Sequence, residues 1–412
     1  MTNQQADTTT FKIPDHIDPA RVVDFDLFGD RRFIEAGHPY DGLLRLCEEV
    51  GRGLFWTPRN GGHWFITDHE LLFEAARTPE LFSSANASFP VVPPEQEEFL
   101  PPLNVDPPDH AKYRLPLMRA FSPAAIRQLD ENIRETIRTL IDSFVDRGHC
   151  DFVEEVGEPL PLTIFMRMMG FDLSRFHEFR EWAVWMNQAD VERRTRGFHN
   201  AMAMTRPLFD ERRAERKDDI LSRLLDEQID GRPLTQPELE GMCTLLFGAG
   251  LDTVVNSLSF GMEHLAHNPA LQDRLRASPS LIPEAIEEML RRFAVAFPFR
   301  SVARDGSFHG VKLKTGERLT MSVALGNLDS AAFPDAAAFD LDRENKVHMT
   351  FNSGPHRCIG SHLARAEMVA LFDEWLKRMP NVHPAPERRA TYRTGLSFAV
   401  TSLPLVWTHS SS

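Results

Sequence analysis

The residues with the clearest chemical potential lie in a short loop around Cys358. The stretch 351–360 is Phe-Asn-Ser-Gly-Pro-His-Arg-Cys-Ile-Gly, and a helical pattern begins at Ser361. Unpaired N–H groups at the start of that helix, together with His356 and Arg357, favour a thiolate over a thiol. A thiolate held in this way is a nucleophile or a metal ligand. The alternative is that Cys358 is a small buried apolar residue, which is the common role of a single cysteine.

The pattern of this loop, F-x-x-G-x-H/R-x-C-x-G, resembles the haem-thiolate loop of the cytochrome P-450 monooxygenases. The resemblance extends over nearly the whole chain and is greatest to the bacterial camphor hydroxylase and its relatives. It implies that haem b is the cofactor, that Cys358 is the axial ligand of the iron and that Phe351 packs against the haem. A thiolate ligand donates electron density to iron and favours cleavage of the O–O bond.

The longest predicted helix carries a second group of residues. Thr235 and Glu238 have the spacing of a capping box, and Asn268-Pro269 ends the pattern about 33 residues later, after some 50 Å. Gly248 and Gly250 lie in its middle, where each glycine destabilises a helix by roughly 0.5–1 kcal/mol relative to alanine. Glycines there indicate either close packing between helices or another group that approaches the backbone.

Asp252 and Thr253 follow these glycines directly. Taken alone, Asp252 is compatible with a surface charge. The string Ala-Gly-Leu-Asp-Thr at 249–253 nevertheless resembles the oxygen-activating stretch of the same family. The resemblance implies that Gly248 to Gly250 lie over the haem face, that Thr253 hydrogen-bonds to dioxygen and that Asp252 relays protons to it. Such proton transfer needs a positioned donor in a site that excludes bulk water.

A third motif is Glu288-Met-Leu-Arg291 in a predicted helix. Residues three apart share a helix face, so the two side chains can pair, and on its own such a pair is an ordinary surface interaction. In the family this motif is a buried structural pair that a later arginine completes. The resemblance assigns that place to Arg343 and implies that the three residues hold the shape of the cysteine loop.

A fourth motif places His110 and Arg114 on one face of the helix that follows the Pro107-Pro108 turn. Two cations at this spacing suit a pair of carboxylates fixed a few ångströms apart. The resemblance implies that His110, Arg114, Arg300 and His356 bind the haem propionates. The alternative is a solvated basic patch.

The expected substrate pocket departs from that of the camphor enzyme, which holds its ketone with a tyrosine hydroxyl. The stretch 95–104 contains no tyrosine, and Phe99 and Asn104 are the nearest replacements. Pro298 occupies a position that usually holds an acid. An apolar pocket with few polar anchors favours a compact hydrophobic substrate, for which we expect a monoterpenoid or a norisoprenoid.

Candidate walls of this pocket are the apolar residues and one glycine that the resemblance brings near the haem. They are Phe89, Phe99, Leu103, Leu245, Gly248, Val295, Phe297 and Leu396, with Trp182, Trp185 and Met186 in the roof.

Composition bounds the remaining possibilities. The 412 residues contain no linker or repeat, which predicts one domain over 1–412 with a disordered start at about 1–10. Four scattered cysteines argue against disulfides and a structural zinc site. The net charge of −14 argues against nucleic acid as a partner. A polar N-terminus and the absence of a long apolar run predict a cytoplasmic protein that does not bind a membrane.

The helical and strand patterns predict a mainly α fold with small β-sheets (α+β), and the resemblance implies the cytochrome P-450 fold with its long helix crossing the haem. Strands are predicted at 63–67, and a hairpin is predicted from Val311–Leu313 and Arg318–Met321. A further strand pair is predicted between Ser397 and Trp407. Helices are predicted at 130–146, 283–293 and 361–379.

The resemblance implies a monooxygenase that hydroxylates a small hydrophobic substrate with O₂ and two electrons. It also implies that the electrons come from a [2Fe-2S] ferredoxin and its NADH-dependent reductase, which would dock near Lys112, Arg357 and Arg365. A peroxide-using haem-thiolate enzyme and a haem-based sensor or binding protein are the alternatives.

Overall fold

The computed structural model describes residues 13–87, 97–186 and 190–408. The α-helices in this part of the chain are α1 (Arg31–Ala36), α2 (Pro39–Val50), α3 (His69–Ala75), α4 (His110–Ala120), α5 (Pro123–Gln128), α6 (Asp130–Asp142), α7 (Pro159–Met169), α8 (Phe176–Met186), α9 (Val191–Ala214), α10 (Ile220–Asp226), α11 (Gln236–Ala266), α12 (Pro269–Ala277), α13 (Ile282–Arg292), α14 (Val323–Asn327) and α15 (Ser361–Arg378).

The strands are short and lie between these helices. They are β1 (Leu54–Thr57), β2 (His63–Ile66), β3 (Phe82–Ser83), β4 (His149–Asp151), β5 (Gln228–Ile229), β6 (Arg232–Pro233), β7 (Phe299–Val302), β8 (Gly306–Phe308), β9 (Val311–Leu313), β10 (Arg318–Thr320), β11 (His383–Pro384), β12 (Thr391–Arg393), β13 (Ala399–Ser402) and β14 (Pro404–Val406). The predicted mainly helical architecture with small sheets is confirmed.

The long helix α11 organises the molecule. Its first turn has the predicted capping box, in which Thr235 and Glu238 satisfy each other's backbone N–H groups. At 1.5 Å per residue its 31 residues span about 47 Å. It is long and apolar enough to cross a membrane by length and composition, but 61% of its apolar window is buried inside the protein, which is the position of a core helix.

Two hydrophobic clusters meet along this helix. The residues of α11 from Leu239 to Leu251 pack into a cluster with α7, α8, α9 and α10. The residues from Val255 onward pack into a larger cluster with α2, α13, α15 and the strands. The change from one cluster to the other therefore falls at 251–255, beside the glycines and the Asp252-Thr253 pair that sequence analysis singled out.

The main sheet has the order β1-β2-β10-β7-β3, and β10 runs parallel to β2. The prediction that β9 and β10 form a hairpin is wrong. β9 pairs with β8 across a turn whose central residues, His309 and Gly310, both have positive φ, at 46° and 78°. Two such residues match the right-handed twist of a hairpin. β10 instead lies between β2 and β7, where both of its edges are paired.

The predicted strand pair near the C-terminus is also wrong in its pairing. Both strands exist, but β13 pairs with β12, and β14 pairs with β11 and β4. Leu403, between them, has its N–H bound to Asp151, and its carbonyl accepts from Phe152. The chain therefore passes from one small sheet to another at this point.

Candidate active site

The middle of α11 borders an open space. Ala249 and Gly250 are exposed although most of the residues from Glu238 to Ala266 on this helix are buried. A Cβ added at Gly250 would meet no atom within 4 Å. Gly248 faces the opposite situation, because a Cβ there would lie 2.6 Å from Cε of Met186 and 3.6 Å from the ring of Phe198. Gly250 therefore leaves the space free, whereas Gly248 permits close packing with α8 and α9.

Thr253 lies one turn after Ala249. Its Oγ1 donates a hydrogen bond to the carbonyl of Ala249 at 3.1 Å. Because the hydroxyl proton is used in that bond, the lone pairs of Oγ1 remain available to another donor.

Asp252 is bound by residues from the C-terminal part of the chain, which sequence analysis did not identify. The Arg393 guanidinium donates to Oδ1 at 3.3 Å, and the Ser397 hydroxyl donates to Oδ2. The carboxylate is therefore held by β12 and by the turn that follows it. Nothing in the local sequence around Asp252 could have indicated partners 141 and 145 positions away.

The loop before α15 has a fixed backbone. Cys358 N–H donates to the carbonyl of Phe351 at 2.8 Å. Asn352 has a φ of 58°, a conformation that Asn tolerates better than most other non-glycine residues. Gly354 is required because its φ is 68° and a Cβ would lie 2.3 Å from the carbonyl oxygen of Ala76.

Cys358 is exposed at this loop although protein atoms surround it closely, so its thiol faces an internal space. Desolvation raises the pKa of Cys358, while the N–H of Gly360 and the charges of Arg114, Arg365 and Arg357 lower it. The net direction is upward. The N–H of Gly360 and the neighbouring arginines therefore act in the direction predicted from the sequence, and desolvation opposes them with the larger effect.

The four residues predicted to bind carboxylates converge. The rings of His110 and His356 lie 4.3 Å apart, and the Nε2 atoms of both are buried without a hydrogen-bond partner among the described residues. Arg300 is buried and, within the same part of the chain, donates only to the carbonyl of Phe299. Arg114 donates to the carbonyl of Arg357. Each group therefore has hydrogen-bonding capacity left over.

The surroundings of these four side chains disfavour their protonated, positively charged forms. Desolvation and the charge of Arg114 lower the pKa of His110 to about 4. Desolvation and the charges of Arg300, His110 and Arg114 lower the pKa of His356 to about 2. Desolvation also lowers the pKa of Arg300 to about 10, and it lowers that of Arg114. A ligand that brings two carboxylates would relieve this repulsion and use the free donors.

Glu288, Arg291 and Arg343 form a buried cluster beneath the site. Arg291 binds Glu288 in a bidentate pair with two contacts of 2.8 Å, and Arg343 Nε donates to Glu288 Oε1 at 3.0 Å. Arg291 also donates to the carbonyls of Asn327 and Ala336. The pair is therefore buried and not the surface interaction that its spacing alone favours.

This cluster connects to the cysteine loop through Asn327. The Asn327 side chain donates to the Thr350 hydroxyl at 2.9 Å and accepts from the N–H of Met349 at 2.8 Å. Next to it, Arg365 donates from Nε and Nη2 to the two carboxylate oxygens of Glu287, and its guanidinium lies 4.5 Å from the centre of the Phe351 ring. The Phe351 ring at the start of the loop is thereby packed against α15.

The candidate pocket walls divide into groups. Leu245 is half-buried on α11, and Leu396 is half-buried against the larger cluster. Phe99 and Leu103 are 41% and 45% exposed, and the Phe99 ring packs edge-to-face on Tyr113. Phe89 lies outside the described residues.

Val295 and Phe297 are 3% and 1% exposed and lie in the core, where the Phe297 ring contacts Phe398 at 4.8 Å. The structure therefore contradicts their placement on the pocket wall. In an extended segment successive side chains point to opposite faces, so the half-buried Ala296 and Pro298 face the other way. The alternation of this segment was a signal that sequence analysis could have used.

Asn104 does not replace the missing tyrosine. Its side chain accepts from the N–H of Leu100 at 2.9 Å and donates to the carbonyl of Glu98 at 2.7 Å. The polar atoms of the Asn104 side chain therefore form hydrogen bonds within their own loop. In the roof, Trp182 and Met186 are buried against Gly197 of α9, while Trp185 is half-buried beneath the guanidinium of Arg196 at 5.5 Å.

The comparisons with known proteins agree with this arrangement. The family model for cytochrome P450 matches residues 162–278 and 280–405. The chain is 31% identical to the steroid C26-monooxygenase of Mycobacterium tuberculosis strain H37Rv over 90% of this chain and 96% of that protein. It is 30% identical to the linalool 8-monooxygenase of Pseudomonas putida over 81% of this chain and 87% of that protein. The crystal structure of CYP101J2 superimposes with a TM-score of 0.88 at 32% identity and covers 96% of this chain and 99% of that one.

The chain therefore belongs to the cytochrome P450 family and is a monooxygenase. The cofactor of this family is haem b. The residues present fit that group, because they include an exposed thiol, a helix stretch open at Gly250, and four cationic or imidazole side chains with hydrogen-bonding capacity left over.

Proposed function

We propose that this protein hydroxylates a compact hydrophobic substrate, a monoterpenoid or a norisoprenoid, with electrons from a ferredoxin and its NADH-dependent reductase. The observation that carries the proposal is the position of Thr253 one turn after Ala249, at the stretch in the middle of α11 that is open at Ala249 and Gly250. The linalool 8-monooxygenase among the relatives is named for a monoterpenoid alcohol, which supports this substrate class.

Within this proposal Cys358 is the iron ligand, and His110, Arg114, Arg300 and His356 bind the two propionates. Gly250 and Phe351 contact the haem. When bound, haem supplies the iron at which dioxygen is reduced and activated. The Glu288–Arg291–Arg343 cluster keeps the loop in shape through Asn327.

Thr253 and Asp252 have different roles in proton delivery. The Thr253 hydroxyl donates its hydrogen bond to the carbonyl of Ala249, so its lone pairs would accept a hydrogen bond in the space where dioxygen is reduced. Asp252 is the proton donor, and Arg393 and Ser397 keep its carboxylate in place between turnovers. The Ser397 hydroxyl touches Asp252 directly and is the first step of a path by which the carboxylate regains a proton.

The apolar part of the pocket is formed from Leu245 and Leu396, with Ala296 and Pro298 in the places first expected for Val295 and Phe297. Met186 and Phe198 cover Gly248 from above. Residues of this size and polarity suit a compact substrate with little polar surface.

Electron delivery is proposed at the surface around Arg357, which is exposed beside the cysteine loop. Lys112 lies close by but already binds Asp109 and Asp230. Arg365 is already paired with Glu287, and we assign it a structural role. Two exposed apolar residues of α4, Leu115 and Met118, are 60% and 47% exposed and supply contact area for a partner.

The deciding experiment is an optical titration of the purified haem protein with monoterpenoids and norisoprenoids, followed by turnover with NADH, reductase and ferredoxin. A shift from low to high spin and a hydroxylated product are the expected results. A haem spectrum that none of these compounds changes would remove the substrate class. Product formed with peroxide but not with the electron-transfer chain would favour the peroxide-using alternative. Protein that binds no haem would contradict the assignment of Cys358.

A further inference from the structure

Arg194 of α9 lies on the inner face of that helix. Positions 194, 197, 198, 201 and 205 recur at helical spacing and share one face. Gly197, Ala201 and Thr205 on this face are buried. A Cβ at Gly197 would lie 2.9 Å from Cγ of Met186. Arg194 continues this face by one turn toward the N-terminus of the helix.

The contacts between α9 and α11 fix where that turn lies. Arg213 contacts Gln236, and Arg206 contacts Glu240. The ring of Phe198 lies against Gly248. The two helices are therefore antiparallel, since lower numbers on α9 meet higher numbers on α11.

Arg194 lies about one helical turn before Phe198, at roughly 1.5 Å of rise per residue. The antiparallel register therefore places Arg194 opposite about residue 252 of α11. That level contains Ala249, Gly250 and Thr253, the stretch of α11 that faces open space. Arg194 therefore belongs to the roof of the same space that the proposed reaction uses.

Arg194 has no counter-charge. Its guanidinium is half-buried, and among the described residues it makes no hydrogen bond or ion pair. Its pKa is lowered, and burial is the cause. Other arginines of the same helix do have partners, since Arg206 binds Glu240 and the buried Arg212 binds Asp219.

Burial of a cation without a counter-charge costs free energy unless a bound ligand supplies that charge. The planar fork of a guanidinium matches a carboxylate with two parallel hydrogen bonds, whereas a ketone or an alcohol offers one oxygen. The adjoining part of the same helix face is apolar, since Met186 packs against Gly197 and Phe198 lies one turn after Arg194. The geometry therefore fits a ligand with an apolar body and one anionic end.

We propose that Arg194 binds the carboxylate of the substrate and that the natural substrate is a compact hydrophobic acid whose apolar end is presented to the site of oxidation. This inference rests on the proposed function and makes its substrate class specific. Arg194 is thereby a specificity-determining residue for hydroxylation.

The test compares acids with their methyl esters on the purified haem protein. Perillic acid and methyl perillate, geranic acid and methyl geranate, and cyclohexaneacetic acid and its methyl ester provide three matched pairs. Dissociation constants come from spin-state titration at pH 7.5 and, independently of the haem spectrum, from calorimetry. For at least one pair, the wild type is expected to bind the acid about 10- to 100-fold more tightly than the ester, the range of a charge-assisted hydrogen-bond pair.

In Arg194→Gln this preference is expected to fall to near unity, mainly by loss of affinity for the acid. Arg193→Gln is the matched control, because the neighbouring Arg193 is exposed and the charge change is identical. It should keep the wild-type ratio. Lysine at position 194 should restore part of the preference, since it keeps the charge but not the fork.

Three results would overturn the inference. The first is a wild type that binds all three esters as tightly as the acids, and the second is an Arg194→Gln variant that keeps the acid preference. Equal loss of affinity for acid and ester would show that Arg194 supports the roof instead of the ligand. Failure of the proposed function is distinguishable, because it would appear as the absence of hydroxylated product from any tightly bound compound.

Discussion

At the scale of single residues, Thr253 is the side chain whose geometry bears most directly on the reaction. Its hydroxyl is oriented by Ala249 and lies at the open stretch of α11. Ser257, one turn further along, makes the same kind of bond to the carbonyl of Thr253 but is buried. The two hydroxyls therefore share their local chemistry and differ in access to the site.

Thr253→Ala is expected to reduce product formed per NADH by at least about 10-fold and to release hydrogen peroxide instead. Thr253 positions the oxygen toward which Asp252 delivers a proton; a positioned proton transfer contributes roughly 10²–10⁴-fold, and water replaces part of this when the hydroxyl is lost. NADH oxidation, peroxide and product are measured together. Ser257→Ala is the control and should remain coupled. A Thr253→Ala enzyme with wild-type coupling would refute the role of the hydroxyl.

Asp252 depends on two residues that are remote in sequence. Arg393→Gln and Ser397→Ala should each lower kcat by about 10- to 150-fold, as expected for the loss of one hydrogen bond to a charged group, about 1.5–3 kcal/mol. KM should change little, because neither residue is assigned to the substrate. The solvent deuterium isotope effect on kcat should increase. An isotope effect identical to that of the wild type would show that these residues have only a structural role.

At the scale of elements, the start of α11 depends on Glu238. Hydrogen bonds from Arg232, Thr235 and Tyr113 lower the pKa of this carboxyl to about 2, although burial opposes them. A carboxyl with a lowered pKa stabilises the fold above its unfolded pKa of about 4.5, and this stability is lost as the pH falls toward 2.

Glu238→Gln should therefore reduce the free energy of unfolding by about 1 kcal/mol at pH 7, since glutamine keeps the capping box but loses the ion pair. The difference between wild type and variant should be constant from pH 6 to pH 8 and shrink below about pH 4.5. Denaturant unfolding at each pH provides the measurement. A difference that does not change with pH would exclude the charge as its cause.

The helix α13 acts on the site through its buried cluster. Glu288→Gln leaves Arg291 and Arg343 buried without their shared carboxylate, and breaking a buried pair costs about 3–5 kcal/mol. The purified variant should bind little or no haem. Haem content per chain and thermal midpoint are the measurements. Glu284→Gln, on the same helix at an exposed pair with Lys346, is the control and should retain haem. Full haem content in Glu288→Gln would contradict the assigned role.

At the scale of the whole molecule, the net charge of −14 coexists with a local cationic surface beside the cysteine loop. Most arginines and lysines around this surface are paired, as Lys112 and Arg365 illustrate. Arg357 is exposed. Selectivity for an acidic partner therefore depends on few charges despite the repulsion of the molecule as a whole.

Arg357→Glu is expected to slow electron transfer from reduced ferredoxin by about 10-fold at low salt, with the difference decreasing as ionic strength rises. Stopped-flow reduction of the ferric protein measures the rate. Arg389→Glu, an exposed arginine in the loop before β12, makes the same charge change outside this surface and should have little effect. Equal rates for wild type and Arg357→Glu would place the docking surface elsewhere.

The sequence by itself determined the features that depend on neighbours along the chain. The capping box at Thr235, the glycines of α11 and the motif around Cys358 are local, because helix caps, helix periodicity and backbone conformation act over a few residues. These features predicted the central helix and the loop, and through the resemblance they predicted the family.

The tertiary structure alone decided which distant residues meet. It placed Arg393 and Ser397 on Asp252, put β10 between β2 and β7 instead of beside β9, and turned Val295 and Phe297 into the core. Among the described residues, it also left the half-buried Arg194 of α9 without a counter-charge. Such outcomes depend on how the whole chain is packed, since burial, strand order and ion pairing are set by contacts between segments far apart in sequence.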